Sequence, residues 1–139
     1  MSRRIRRRPA VLACFALAAP TAFAASHTAP VGAWRVEAIG TTPLAAAARP
    51  DITFTAEGRA HGSSGCNRFL GGFTLDGAAL RFEPIAGTRM ACESPAMELE
   101  RHFLEALAAV HGWRMDGPAL LLTNGAGATV LRLRRSEAE

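Results

Sequence analysis

The chain of 139 residues contains no lysine and no tyrosine, and it has only three cysteines. All 16 basic residues are therefore arginines, and five of them lie within residues 3–8. Long hydrophobic runs are also absent, since the apolar segment 10–19 has about half of the ~20 residues that a membrane-spanning helix requires. We therefore expect no transmembrane span in the mature chain.

The first 24 residues have the pattern of a secretory signal peptide. The arginines precede the apolar segment, Pro20 ends it, and Ala22-Phe23-Ala24 offers an A-x-A cleavage site. The pattern predicts a periplasmic or secreted protein cleaved after Ala24, and it does not distinguish the Sec route from the twin-arginine route. A lipoprotein attached through Cys14 is the less favoured alternative, because only about four residues separate Pro9 from Cys14 and an apolar signal region has about 7–15.

The basic charge of the chain belongs mostly to this segment. The full chain has a net charge of +4 and a pI near 10.1, values that suggest nucleic-acid binding. Cleavage after Ala24 leaves 115 residues with 11 arginines against 12 acidic residues, a net charge of −1. We therefore expect no nucleic acid as a partner, and an anionic membrane is a less favoured one.

The mature chain has the length of a single domain. At this size a fold buries about two thirds of the surface of the unfolded chain, so many disulfides are not needed. Residues 25–31 are small and polar and predict a flexible leader. We place the folded domain at residues 32–135 and a flexible tail at residues 136–139.

Most of the domain has the two-residue alternation of half-buried strands. Turn signals such as Asp76-Gly77 and Asn124-Gly125 separate the apolar segments. A loop with a helical turn is expected between Gly40 and Pro50. The expected strands are 33–39, 51–55, 59–63, 69–75, 79–83, 113–115, 119–123 and 129–134.

One amphipathic helix is predicted between the fifth and sixth strands. Ser94 is suited to the N-cap, Pro95 to the first helical position, and Gly112 to ending the helix after His111. Acidic Glu98 and Glu100 near the start favour the positive end of the helix dipole. The apolar stripe comprises Ala96, Leu99, Phe103, Leu107 and Val110. The predicted fold class is therefore α+β, an antiparallel sheet curled around one helix.

Two of the cysteines lie in segments rich in turn-forming residues. Cys66 lies in Gly62–Phe73 (GSSGCNRFLGGF), and Cys92 ends Thr88–Cys92 (TRMAC) just before the helix. In an oxidising compartment an even pair of cysteines predicts a disulfide, here between the central turn of the sheet and the start of the helix. Two free buried thiols are the alternative.

These two segments, in this order and spacing, resemble the META domain of HslJ-like heat-shock proteins. The resemblance covers nearly the whole mature chain. It implies an antiparallel β half-barrel around one helix, in a bacterial envelope protein tied to stress and antibiotic tolerance, with no known catalytic activity and no cofactor. The residues that match the family motif are Gly65, Cys66, Asn67, Arg68, Phe69, Thr88, Arg89, Met90 and Cys92.

Three polar residues of the motif are candidate ligand contacts. Asn67 could bind a ligand through its amide, although an Asn here more often adopts a left-handed turn or caps backbone groups. Arg68 and Arg89 could hold an anionic group. The favoured alternative for both arginines is a local salt bridge or stacking on Phe69 or Trp34.

The sequence favours neither catalysis nor a metal site. In Gly62–Cys66, Cys66 occupies the place of the last glycine of a G-x-S-x-G nucleophile motif with Ser64 as its serine, and no pattern completes a triad. His102 and His111 are nine residues apart, which places them on opposite faces of a helix. No paired ligand spacing indicates zinc.

Two functional hypotheses, ahead of an enzyme of unknown type, follow from the resemblance and from the apolar groove that a curled sheet can leave at its open edge. The first is a monomeric, non-enzymatic envelope protein that binds a lipid, a small apolar compound or another envelope protein. The second is a periplasmic inhibitor or chaperone-like module that binds other proteins through an edge strand or through loops.

Overall fold

The computed structural model describes residues 9–14, 16, 18 and 30–136. The expected cleavage site at Ala24, residues 25–29 of the expected leader and residues 137–139 of the expected tail lie outside the described residues. Within them, none of the helices has the length and apolar character needed to cross a bilayer. Cys14 is exposed and forms no disulfide.

The described domain has ten strands, one α-helix and one short 3-10 helix, in an order that agrees with the predicted α+β class. The 3-10 helix, Ala46–Ala48, provides the helical turn expected between Gly40 and Pro50. The strands are β1 (Gly32–Ile39), β2 (Thr42–Pro43), β3 (Asp51–Phe54), β4 (Arg59–Ser63), β5 (Arg68–Asp76), β6 (Ala79–Phe82), β7 (Ala86–Gly87), β8 (Gly112–Asp116), β9 (Ala119–Thr123) and β10 (Thr129–Arg135). The α-helix, α1, covers Ser94–Ala109 and lies between β7 and β8.

Eight of the strands form a closed antiparallel barrel in the order β1-β3-β4-β5-β6-β8-β9-β10. Closure comes from β10, which pairs with β1 from Trp34↔Arg135 to Ile39↔Leu131. The resemblance implies a half-barrel, whereas this pairing of the first and last long strands leaves no open side between them. The junction of β6 with β8 is the shortest, with the single register pair Ala79↔Gly112.

The alternation along the strands fills the barrel as the sequence predicts. Leu131 and Leu133 of β10 are fully buried. The arginines that alternate with them, Arg132 and Arg134, point outward and form ion pairs with Glu37. Aromatic rings occupy much of the interior. The largest fully buried side chains are Trp34, Phe54, Phe103, Ile52, Leu80, Leu107, Leu120, Leu122, Leu131 and Leu133.

Helix α1 lies across the barrel and packs against β1, β6 and β10. β1 and β6 are four strands apart in the eight-stranded barrel and therefore lie opposite each other, so the helix covers the interior between them. Its buried side includes Phe103, Ala106 and Leu107. The predicted amphipathic helix is thus confirmed, and its apolar stripe faces the barrel core.

Both ends of α1 differ from the prediction. The N-cap is Glu93 rather than Ser94, and its backbone oxygen accepts the N–H of Ala96 at 3.0 Å without any side-chain cap. At the other end the helix stops at Ala109, three residues before Gly112. It stops because Val110 turns into the core, 3% exposed, and the N–H of His111 already bonds to β9.

Candidate functional site

The loop between β4 and β5 is fixed against the start of α1. Gly65 in this loop has a φ of +123°, a conformation that side chains other than glycine rarely adopt. It also lies close to the helix backbone, where a Cβ would be 3.3 Å from the Ala96 oxygen and 3.4 Å from the Glu100 nitrogen. Glycine at this position therefore lets the loop contact the helix directly.

Asn67, the last residue of the loop, is 4% exposed and makes most of the side-chain hydrogen bonds of the loop. Its Oδ1 accepts the backbone N–H of Met90 at 2.7 Å and the hydroxyl of Thr88 at 2.9 Å. Its Nδ2 donates to the Met90 oxygen at 3.2 Å and to Glu100 Oε2 at 2.9 Å. The amide therefore caps backbone groups, as the favoured alternative predicts, although without the left-handed φ, since none of the described non-glycine residues has a positive φ.

Glu100 accepts the hydrogen bonds of this loop from the helix side. Its Oε1 accepts the hydroxyl of Ser64 at 2.5 Å and the backbone N–H of Asn67 at 2.8 Å. Burial raises the pKa of the Glu100 carboxyl, but the hydrogen bonds from Ser64 and Asn67 lower it by more, so the net pKa lies below the ordinary value. We call Ser64, Asn67, Thr88, Met90 and Glu100 the anchor network.

A covalent bond ties the same two segments together. Cys66 and Cys92 form a disulfide with their Cα atoms 5.9 Å apart, which decides between the two alternatives left open by the sequence. Thr88 adds further pairing with the start of β5, because its N–H donates to the Arg68 oxygen at 3.0 Å and its Oγ1 accepts the Arg68 N–H at 3.1 Å. The motif residues thus join β5, the 88–92 segment and α1.

The two motif arginines are not part of this network through their side chains. Arg68 and Arg89 are both exposed, and neither guanidinium lies within 4.0 Å of a carboxylate among the residues that the structure describes. The stacking on Trp34 that the sequence suggested for them is made instead by Arg135, 4.3 Å from the ring centroid. Phe69, the aromatic residue of the motif, is buried against Phe103.

Beside the anchor network lies a groove of about 430 Å³ between α1 and the β5–β7 region, which we call the helix groove. Gly71 leaves room for the Ile85 side chain in the wall of this groove, because a Cβ at position 71 would collide with the end of that side chain. Ser64, Asn67, Thr88 and Glu100 of the anchor network lie at this groove. Its apolar lining residues are Phe69, Phe82, Pro84, Ile85, Leu104 and Ala108.

The sequence prediction missed two members of the anchor network, Ser64 and Glu100. The sequence predicts that Glu100 acts on the helix dipole, whereas this residue is 8% exposed and faces the loop. The sequence contains a signal for the burial of Glu100, because this residue lies four residues after Ala96 and three before Phe103 and therefore on the apolar face of the helix. An acidic residue on that face indicates a buried hydrogen-bond acceptor.

The hydroxyl of Ser64 is also engaged in the anchor network. Ser64 is 1% exposed, and its Oγ lies 2.5 Å from Glu100 and 2.9 Å from the Asn67 oxygen. In the described part of the chain, no group of three or more His, Cys, Asp or Glu residues is placed to hold a metal ion. The arrangement therefore provides a fixed frame beside an apolar groove.

Comparisons with known proteins give the chain a family. The META domain model matches residues 28–137. The fold is similar to an NMR structure of a protein from Burkholderia xenovorans, with 30% identity, a TM-score of 0.62, and coverage of 77% of this chain and 83% of that one. A second NMR structure matches at 26% identity and a TM-score of 0.59 over 74% of this chain and 87% of that one. No curated protein matches the sequence. Because the family model spans most of the chain, the protein belongs to the META domain family.

Proposed function

We propose that this protein is a non-enzymatic bacterial envelope protein, linked to stress or antibiotic tolerance, that binds a lipid or a small apolar compound in the helix groove. The observation that supports this proposal is the groove itself, whose walls include Phe69, Phe82, Ile85 and Leu104. Its volume of about 430 Å³ lies within the range of small-molecule sites, roughly 300–1,000 Å³.

The anchor network supports binding rather than catalysis. A nucleophilic serine has to reach a substrate carbonyl, and Ser64 is enclosed between Glu100 and Asn67. A general base works best with a pKa near the working pH, and the pKa of Glu100 is shifted in the opposite direction. These groups hold the wall of the groove, and the apolar side chains beside them offer the contact surface.

An envelope location is supported by two separate features. The N-terminal segment has the pattern of an export signal, and Cys66 and Cys92 form a disulfide of the kind that persists in oxidising compartments. The second hypothesis, a protein-binding module with an exposed edge strand, has less support. Pairing of β1 with β10 closes the barrel, and the short strands outside it, β2 and β7, have two residues each.

A bulky side chain at the rim of the groove tests the proposal. Ala108 is exposed on α1 and lines the groove, so Ala108→Trp should obstruct it without changing the barrel core. Ala126→Trp places the same side chain on the exposed turn between β9 and β10 and is the matched control. Each protein is purified from its own envelope fraction and measured by native mass spectrometry and by binding of an apolar fluorescent dye.

The proposal predicts a bound apolar compound, or saturable dye binding, for the wild type and for Ala126→Trp. Ala108→Trp should lose both. Equal binding by the two variants would place the ligand outside the helix groove. A wild-type protein that carries no apolar compound and binds no dye would contradict a role in apolar ligand binding, and a co-purified protein would favour the second hypothesis.

A further inference from the structure

We propose that the helix groove selects a cationic amphiphile, a protonated amine with an apolar tail, by pairing its ammonium group with Glu100. This inference rests on the proposed function, which places an apolar ligand in the groove. It adds the chemical class of the polar end of that ligand.

In the part of the chain that the structure describes, the groove carries negative charge without a counter-ion. Glu100 lines the groove, and none of the described arginines and histidines does. Among the described residues, no cationic side chain lies within 4.0 Å of the Glu100 carboxylate. Arg101, its neighbour in sequence, pairs instead with Glu98 and Glu105 on the exposed side of the helix.

The carboxylate of Glu100 also retains the capacity to accept another donor. Its Oε1 accepts two hydrogen bonds, from Ser64 and from the backbone of Asn67, whereas Oε2 accepts one, from the Asn67 amide. A carboxylate offers about four acceptor positions, two on each oxygen. An ammonium group in the groove could therefore donate to Oε2 without displacing the bonds that hold the loop.

The ionised form of Glu100 is the one that the protein stabilises. The hydrogen bonds from Ser64 and Asn67 lower the pKa of this carboxyl in spite of its burial, so the side chain carries its charge at neutral pH. A buried charge without a partner ion attracts a cation and repels an anion, and the low polarity of its surroundings strengthens both effects. A fatty-acid carboxylate is therefore disfavoured in the same groove.

Glu83 is the other acidic residue at the groove, and its carboxylate points to a different place from that of Glu100. The carboxylate of Glu83 lies against Gly72, where a Cβ on that glycine would collide with it. Its backbone N–H donates to the Gly72 oxygen at 2.9 Å, which fixes this arrangement along β5. Glu83→Gln therefore removes one negative charge at the groove without altering the charge that faces the loop.

Three probes with the same apolar chain test the inference at pH 7: octylamine, 1-octanol and octanoate. Binding of each to the purified protein is measured by titration calorimetry. A charge-assisted hydrogen bond should make octylamine bind about tenfold more tightly than 1-octanol, with octanoate weakest. Glu83→Gln should keep this order.

A pair of variants at Leu104 provides the second measurement. Leu104 follows Glu100 by four residues on the helix and lines the groove, so Leu104→Lys places an ammonium group in the favourable order for an i,i+4 ion pair with Glu100. Leu104→Gln makes the same loss of apolar surface without the charge. The inference predicts that Leu104→Lys abolishes the preference for octylamine over 1-octanol and that Leu104→Gln retains it.

The outcomes separate this inference from the proposed function. Equal binding of octylamine and 1-octanol by the wild type would overturn the inference while leaving an apolar ligand in the groove. Tighter binding of octanoate would overturn it in the same way. Failure of all three probes to bind the wild type would overturn both, and this comparison does not depend on whether either Leu104 variant folds.

Discussion

Replacement of Glu100 by alanine should destabilise the fold far more than its position near the start of a helix suggests. The change leaves two buried donors of Asn67 without their acceptor, the backbone N–H and one N–H of the side-chain amide. The hydroxyl of Ser64 can still donate to the Asn67 oxygen, 2.9 Å away. An unsatisfied buried polar group costs about 1–3 kcal/mol, so we expect a loss of about 4 kcal/mol in the free energy of unfolding.

Urea unfolding followed by tryptophan fluorescence measures this loss, because Trp34 is buried in the barrel. For a domain of this size the expected change corresponds to a drop in Tm of roughly 15 °C. Glu98→Ala is the control, since Glu98 is exposed on the same helix and its ion pair with Arg101 is 4.0 Å long. Exposed pairs contribute about 0–1 kcal/mol. A loss for Glu100→Ala no larger than that of Glu98→Ala would refute the structural role of the anchor network.

The remaining predictions concern pH, the disulfide and export. The folded-state pKa of Glu100 lies below the ordinary value of 4.5, so its contribution to stability is present above about pH 4.5 and is lost as the pH falls through the lowered pKa. Glu100→Gln should therefore flatten the stability curve below pH 4.5, and an unchanged slope would contradict the assignment. Replacing Cys66 and Cys92 by serine together should lower the free energy of unfolding by up to about 3.5 kcal/mol in urea, given their separation of 26 residues. The intact mass of the protein purified from its own cells should match cleavage after Ala24, whereas a diacylglyceryl adduct on Cys14 would show a lipoprotein.

Local periodicity predicted most of the strands and the buried side of the helix. In β10, Leu131 and Leu133 alternate with arginines, and that two-residue pattern identifies the inward face without any knowledge of neighbouring strands. The Cys66–Cys92 pair could be predicted for a similar reason, since only two cysteines follow the segment that has the pattern of an export signal. Features that depend on single residues or short repeats are thus accessible from the sequence.

Features that depend on contacts between distant segments could not be predicted from the sequence. Closure of the barrel requires β1 to meet β10, and nothing within either strand specifies a partner about 100 residues away. The helix α1 ends earlier than the sequence predicts for the same kind of reason, because the N–H of His111 donates to the oxygen of Thr123 in β9. The glycine at position 112 predicts a helix that continues through His111, and tertiary contacts end the helix before that residue.

Burial of Glu100 combines both kinds of information. Its phase in the apolar stripe is visible in the sequence, but a buried carboxylate is stable only where donors meet it, and those donors come from a loop 33 residues earlier, at Asn67. The family motif then acquires a physical meaning: Cys66 ties the loop to the helix start covalently, and Asn67 ties it by hydrogen bonds. Because Cys66 and Asn67 hold one wall of the helix groove, we expect the proposed apolar ligand to be selected by side chains outside the motif, which include Phe82, Leu104 and Glu100.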